Sequence, residues 1–298
     1  MKVFLTGGTG FVGSELLRQL VAAGHTVRCL VRAGSEGKRS VLEGVEFRQG
    51  DVTEPQTLAG ALEGCDAVIH LVGIIREFPG RGITFKRMHF EATRNVVEAA
   101  ESQGVKRYLQ MSANGTRPNA DCPYHKTKWQ AEEAVRASGL DWTIFRPSLI
   151  FGPGDAFVNM LADMMRKLPL MPVIGDGRYR MSPVAVEDVA ASFVKALTLP
   201  ETVGSTFHCC GPQSYTYDAL LDLIGAALGK RHVPKLHHPV FLMKSAAALF
   251  GSLPAFPITS SQLTMLLEGN VCDPKEWTAA FGIRPAPFPE GIRRYVKP

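Results

Sequence analysis

The chain reads as a doubly wound α/β protein, with a parallel sheet between helices and a smaller, mostly helical region in its second half. Three observations predict this. Short β-branched runs alternate with helical patterns through the first half, which implies parallel pairing through right-handed crossovers. A glycine-spaced turn joins the first strand to the first helix. After Pro147 the texture changes to proline- and glycine-rich stretches such as "FGPGD", "KLPLMPVIGDG" and "HVPKLHHP".

Each element has its own signal. "KVFLTG" is a strand, and Phe11 to Ala23 is an amphipathic helix stopped by Gly24. "TVRCLVR", "VEFRQGD" and "DAVIHLVG" are the next three strands. A helix from about Thr84 to Ser102, the strand "KRYLQMS", a helix from Pro123 to Ala137 and the strand "DWTIFRP" complete the first region. That region is placed at residues 1–150 and the second at 151–298, with about 182–210, beginning at "VAVEDVAASFVKAL", returning to the first. The second region is expected to lie over the sheet's carboxyl edge.

Composition narrows the function classes. The 298 residues are 45% hydrophobic and 20% charged, with a net charge of +5, as in a globular protein with one large domain or two moderate ones. Basic residues are interspersed with acids, so nucleic-acid binding has no support, while a mild positive excess suits an anionic small molecule. The six cysteines show no Cys-x-x-Cys or Cys/His ligand spacing. Neither a metal site nor a disulfide framework is expected, and free thiols fit a reducing cytoplasm. Met1-Lys2 runs straight into "VFLTGG", leaving no room for a signal peptide. The apolar stretch 239–256 is broken by Lys244, Gly251 and Pro254, too interrupted to span a membrane. It is read as a buried helix in preference to one lying on a membrane or a partner.

The turn "TGGTGFVG" carries the first chemistry. Gly7, Gly10 and Gly13 are spaced three apart, with Thr9, Phe11 and Val12 among them. Gly7 allows a tight turn, Gly10 lets backbone approach a pyrophosphate, and Gly13 permits close helix–strand contact. A pyrophosphate then meets the free N–H groups of a helix N-terminus, so a dinucleotide is the expected ligand. A carboxylate ending the second strand would hold the ribose of NAD, but Arg32 stands there, with Lys38 and Arg39 shortly after. An arginine pairs with a 2′-phosphate, so NADP is favoured over NAD. Asp51 and Val52 are expected to border the adenine, and Leu71, Val72 and Gly73 to line the cofactor path.

"PYHKTKW" places Tyr124 four residues before Lys128, on one face of a helix that follows the fifth strand. Alone, such a pair is an ordinary amphipathic neighbour pair. Beside a bound dinucleotide the ammonium is expected to lower the phenol's pKa towards acid–base use and to hold the nicotinamide ribose.

In these motifs, with "GDV", "HLVG", "RPSLIFGPGD" and "VAVEDVA" in order, the chain resembles the extended short-chain dehydrogenase/reductase superfamily. It is most similar to an atypical branch that holds the nucleotide-binding accessory subunit of respiratory complex I and bacterial epimerase/dehydratase-like relatives. The resemblance implies a Rossmann domain, a small C-terminal substrate region and a Tyr124–Lys128 pair at the cofactor, with Pro147 and Ser148 passing the nicotinamide. Two positions depart from the pattern. Ala113 stands where active members place a serine or threonine, leaving Ser112 to supply a hydroxyl from a position facing the other way. His89 stands where a catalytic asparagine is usual, and reads as a hydrogen-bonded histidine in preference to a proton relay. Asp188 is read as helix-opening or ion-pairing, and His237 and His238 as surface residues.

Two functions from different classes follow. One is an NADP-dependent oxidoreductase or epimerase/dehydratase, acting on a nucleotide sugar or a quinone-pathway metabolite with Tyr124, Lys128 and Ser112 as its catalytic set. The other is a structural NADP-binding protein that stabilises itself or a partner complex without turnover.

Overall fold

The run Ala67–His70 is buried at all four positions, as a strand covered on both faces must be. The structure is a computed structural model that describes residues 1–35, 43–251 and 258–298. Its elements begin with β1 (Lys2–Thr6), α1 (Phe11–Ala22), β2 (Thr26–Val31), β3 (Val45–Gln49), β4 (Ala67–His70), α2 (Ala92–Ser102), β5 (Arg107–Met111), α3 (Pro123–Arg136) and β6 (Asp141–Pro147). Next come β7 (Ile150–Phe151), α4 (Ala156–Lys167), β8 (Met171–Ile174), β9 (Arg180–Met181), β10 (Val184–Ala185), α5 (Val186–Ala196) and β11 (Ser205–Cys209). The chain ends with β12 (Tyr215–Thr216), α6 (Tyr217–Ala227), β13 (Lys235–His238), α7 (Val240–Phe250), α8 (Ser260–Glu268), α9 (Lys275–Phe281) and α10 (Phe288–Ile292).

The main sheet has seven strands in the order β11-β6-β5-β4-β1-β2-β3. The pairings β1–β2, β2–β3, β1–β4, β4–β5 and β5–β6 are all parallel. The order reverses between β1 and β4, and a doubly wound sheet binds its ligand in the crevice at that point. Thr6 of β1 stands level with both Leu30 of β2 and His70 of β4, so the three strands end together there.

Two compact units divide the chain. The first comprises Met1–Pro147, Glu187–His208 and Lys275–Ile283. Part of its core is a cluster that includes Phe4, Val68, Val96, Tyr108 and Ile144. The second comprises Ser148–Val186, Cys209–Pro274 and Arg284–Pro298, around a cluster that includes Phe151, Leu161, Leu221 and Phe288.

Three expectations are corrected. The helix read over 84–102 is two windings: Lys86–Glu91 turns as a π-helix before α2 begins. Cys210 and Cys272 are paired as a disulfide within the second unit, with Cα atoms 6.0 Å apart, where free thiols were expected. Cys29, Cys65, Cys122 and Cys209 are buried thiols. The third correction is α7, read as buried. It buries Ala247, while Phe241, Leu242 and Leu249 face outward. No helix among the described residues is long and apolar enough to cross a membrane.

Candidate dinucleotide and acid–base site

The glycine loop is shaped by near-contacts of its own backbone. Gly7 has a φ of +79°, a left-handed conformation that favours glycine. A Cβ on Gly13 would stand 2.1 Å from Gly7 O and 2.6 Å from Gly8 Cα, so the first turn of α1 can seat against the loop only through a glycine. Gly10 caps α1 with extended backbone, and its N–H donates to Gly7 O at 3.0 Å. Gly8, not singled out in the sequence, is equally constrained: a Cβ there would lie 2.5 Å from Cys29 Sγ. The first-turn amides of α1 have no carbonyl one turn earlier in the helix, which leaves them for an anion.

A cavity of about 320 Å³ opens over this loop. It gathers Gly7, Thr9, Gly10, Arg32, Val52, Leu71, Val72 and Gly73, the expected residues from four separate segments. It also takes in Ser35, Gly50, Ile74, Ile83 and Met88, which sequence reasoning missed. Gly50 had a signal in "QGD": a Cβ there would meet Leu30 Cδ1 at 2.8 Å. Phe11, Val12 and Gly13 form the first turn of α1 and are not part of the lining. Asp51 lines an adjoining hollow with Arg32, but its carboxylate closes its own turn, accepting from Thr53 N and Thr53 Oγ1 at 2.8 Å each. Lys38 and Arg39 lie outside the described residues. Neither Pro147 nor Ser148 lines the cavity. The Pro147 carbonyl accepts from Asn114 N at 2.9 Å, and Ser148, in the second unit, donates its hydroxyl to Asn270 O at 2.8 Å. The tight loop and the open helix start fit a dinucleotide's pyrophosphate, and the exposed Arg32 lines the same cavity.

Pro123 opens α3, where its missing N–H costs nothing, and the next turns bring Tyr124 and Lys128 inward. Lys128 Nζ donates to Met111 O at 3.2 Å at the end of β5. A Cβ on Gly73 would lie 2.9 Å from that Nζ, so the ammonium lies directly against the cavity wall. Burial pushes the Lys128 pKa down to about 8, against an opposing pull from Glu132. Tyr124 is 8% exposed and packs edge-on against Phe85, His89 and His125 at ring distances of 5.7, 5.1 and 5.2 Å. The expected lowering of its pKa by Lys128 is reversed: burial pushes the phenol up, with the nearby Cys122 adding to it.

His89 is fully buried in the π-helical turn. Its Nδ1 meets Thr127 Oγ1 at 2.9 Å, and its Nε2 lies 3.0 Å from Ile74 O and 3.1 Å from Ile74 N. Burial and the neighbouring Lys128 hold its pKa well below the ordinary histidine value, so it is neutral and bonded at both nitrogens. Thr127, inside "YHKTK", is the residue that sequence reasoning missed here. His70 ends β4 with Nδ1 2.6 Å from Thr6 Oγ1 and a buried Nε2 that has no hydrogen-bond partner among the described residues. Burial lowers its pKa to about 3, so it too is neutral.

Ser112 is not available as the catalytic hydroxyl. It donates to Glu132 Oε1 at 2.5 Å, on a fully buried carboxylate that also binds Arg146 through Nε and Nη2 and Arg136 through Nη2. A carboxylate removed from water needs such partners, and the serine hydroxyl is one of them. Strand alternation turns Ser112 this way.

Comparison with known proteins bears on the family and the fold. The model of the NAD dependent epimerase/dehydratase family matches residues 3–210. The mitochondrial NADH dehydrogenase [ubiquinone] 1 alpha subcomplex subunit 9 of Arabidopsis thaliana is 30% identical over 89% of this chain and 67% of its own length. The ceramide reductase of Caulobacter vibrioides is 32% identical over 66% of this chain and 61% of its own. The solved dTDP-glucose 4,6-dehydratase DesIV of Streptomyces venezuelae, with NAD bound, superposes with a TM-score of 0.77 at 21% identity, covering 99% of this chain and 96% of that one.

Proposed function

This chain belongs to the NAD-dependent epimerase/dehydratase family, and from that premise we propose an NADP-dependent oxidoreductase or epimerase/dehydratase in which Tyr124 is the acid–base group. One observation carries the reading. Lys128 Nζ is buried against Gly73 of the cavity wall, one helical turn from the buried Tyr124 phenol. The glycine loop and α1 would hold the pyrophosphate, Arg32 the 2′-phosphate, and Lys128 the nicotinamide ribose. When bound, the nicotinamide supplies or takes up a hydride. A phenol held protonated by burial is a general acid, so Tyr124 gives its proton to the substrate oxygen in the reducing direction. The Lys128 ammonium, still the main form at neutral pH, then offsets the charge left on the phenolate. The relative named a ceramide reductase supports a reducing activity; a nucleotide sugar or a quinone-pathway metabolite is the proposed substrate class.

A second reading, a structural NADP binder akin to the mitochondrial subunit, is favoured by the commitment of Ser112 to Glu132 and by the absence of a hydroxyl at Ala113. One pair of variants separates the two. In an enzyme, Tyr124→Phe keeps cofactor affinity and cuts turnover about 10²-fold or more. Lys128→Ala loses both. In a structural binder Tyr124→Phe is silent in every assay, while Lys128→Ala still weakens binding in calorimetry. If neither variant changes cofactor binding or activity, the pair is not part of the site.

A further inference from the structure

The α7 helix, "VFLMKSAAALF", is apolar on the side that faces outward. Phe241 is 65% exposed, Leu242 51% and Leu249 73%. Leu242 and Leu249 are seven residues apart, so they lie above one another, with Phe241 beside the first. Single exposed apolar residues need no explanation, but three large ones on one face of an 11-residue helix form a patch. Its opposite side is seated: Ala247 is buried, α7 packs against α8, and Val240 reaches Gly175. The face is therefore presented by a docked helix.

Charge identifies the occupant. Between Asp222 and Glu268 the sequence has no acidic residue, while Lys230, Arg231, Lys235 and Lys244 all fall there with His232, His237 and His238. The nearest acids before this stretch are already paired, Asp222 with Lys235 and Asp218 with His237. Lys230, Arg231 and Lys244 make no ion pair among the described residues, and Lys244 projects from α7 itself. The packing neighbour α8 brings one carboxylate, Glu268, at its far end. Outward aliphatic and aromatic groups on a helix that carries Lys244, within a stretch of sequence rich in cations and free of acids, match the boundary of a negatively charged bilayer, where the apolar face enters the acyl region and the cation meets headgroup phosphates. A protein partner would need acids to match these cations; an anionic lipid surface supplies them without a specific sequence.

We propose that α7 attaches this protein peripherally to anionic membranes, by burying Phe241, Leu242 and Leu249 at the lipid interface with Lys244 at the headgroups. The proposal is independent of whether the dinucleotide site turns over. The test is co-sedimentation of the full chain with vesicles of phosphatidylcholine alone and of phosphatidylcholine with phosphatidylglycerol. The chain is expected to pellet with the anionic vesicles, to do so less as salt is raised, and to remain in the supernatant with the neutral ones. The double variant Leu242→Asp/Leu249→Asp should lower the partition coefficient at least about tenfold, and Lys244→Glu should lower it by less. Ser245→Trp, which adds an amphipathic ring to the same exposed face, should raise it, so the test survives if the aspartate variant fails to fold. Dinucleotide affinity in calorimetry reports folding of each variant. No partition onto anionic vesicles would overturn the proposal, as would partition unchanged by the aspartates or by the tryptophan. A vesicle-free dimer that the double variant returns to monomer would assign the face to a second copy instead.

Discussion

At the scale of the residue, Arg32 is the side chain proposed to favour NADP over NAD. It is exposed, lines both the main cavity and the adjoining hollow, and has no ion-pair partner among the described residues. Arg32→Ala is expected to collapse an NADP-over-NAD preference by about 1–3 kcal/mol in calorimetry, the worth of a charge-assisted contact. An unchanged ratio removes Arg32 from the site. Lys128 sets a pH dependence with a definite sign. Its pKa falls from 10.5 to about 8 in the folded chain, so between these values the unfolded chain holds the extra proton. The Lys128 contribution to stability is complete above 10.5 and is lost as pH falls through about 8. Cofactor binding runs the other way: affinity for an anionic dinucleotide should decline as pH rises through about 8, and Lys128→Met should remove that step from the profile. A step that persists in the variant belongs to another group.

At the scale of the element, the turn from β1 into α1 distinguishes two kinds of glycine. A Cβ on Gly10 meets Gly7 O at 3.2 Å, a tight but yielding contact, whereas one on Gly13 meets backbone at 2.1 Å. Gly10→Val should therefore leave a folded chain that no longer binds dinucleotide. Gly13→Ala should lower thermal stability itself, by about 1–3 kcal/mol as overpacking against backbone does. A Gly10→Val chain with normal binding would displace the pyrophosphate from the loop. This turn was legible because its logic is local: glycine spacing, a preceding strand and a following helix lie within a short window. So were β4 and β5, whose β-branched and aromatic runs declare themselves. The π-helical turn at Lys86–Glu91 was not, because the same apolar spacing serves an α-helix, and the bonds of His89 to Ile74 and Thr127 come from elsewhere in the chain. The upward shift of Tyr124 was hidden for a related reason: spacing reveals a cation one turn away, but not the loss of water around the ring.

For the whole molecule, the pairing of Cys210 with Cys272 joins positions 62 residues apart. The chain-entropy model gives a cross-link over a loop of that size about 4 kcal/mol. Reduction with dithiothreitol should lower the thermal midpoint by several degrees, and peptide mapping without reductant should recover the linked pair. An identical midpoint with and without reductant, together with unlinked peptides, would count against a bridge in solution. The sequence offered no route to this pair, since neither cysteine sits in a spacing motif and the partner is chosen by the fold.

The buried Glu132 clamp has a consequence for any attempt to endow this chain with new or stronger catalysis. Lys128 and Glu132, four residues apart on α3, grip consecutive residues of the strand exit, Met111 and Ser112. The bond to the serine ties α3 to the end of β5, so Ser112 serves as a fastener and not as a reagent. A hydroxyl added by Ala113→Ser would therefore enter a scaffold already held in place. Swapping the fastener itself would move the whole apparatus. Directed evolution that begins at position 113 has open ground, and a search that begins at position 112 must first rebuild the helix it loosens.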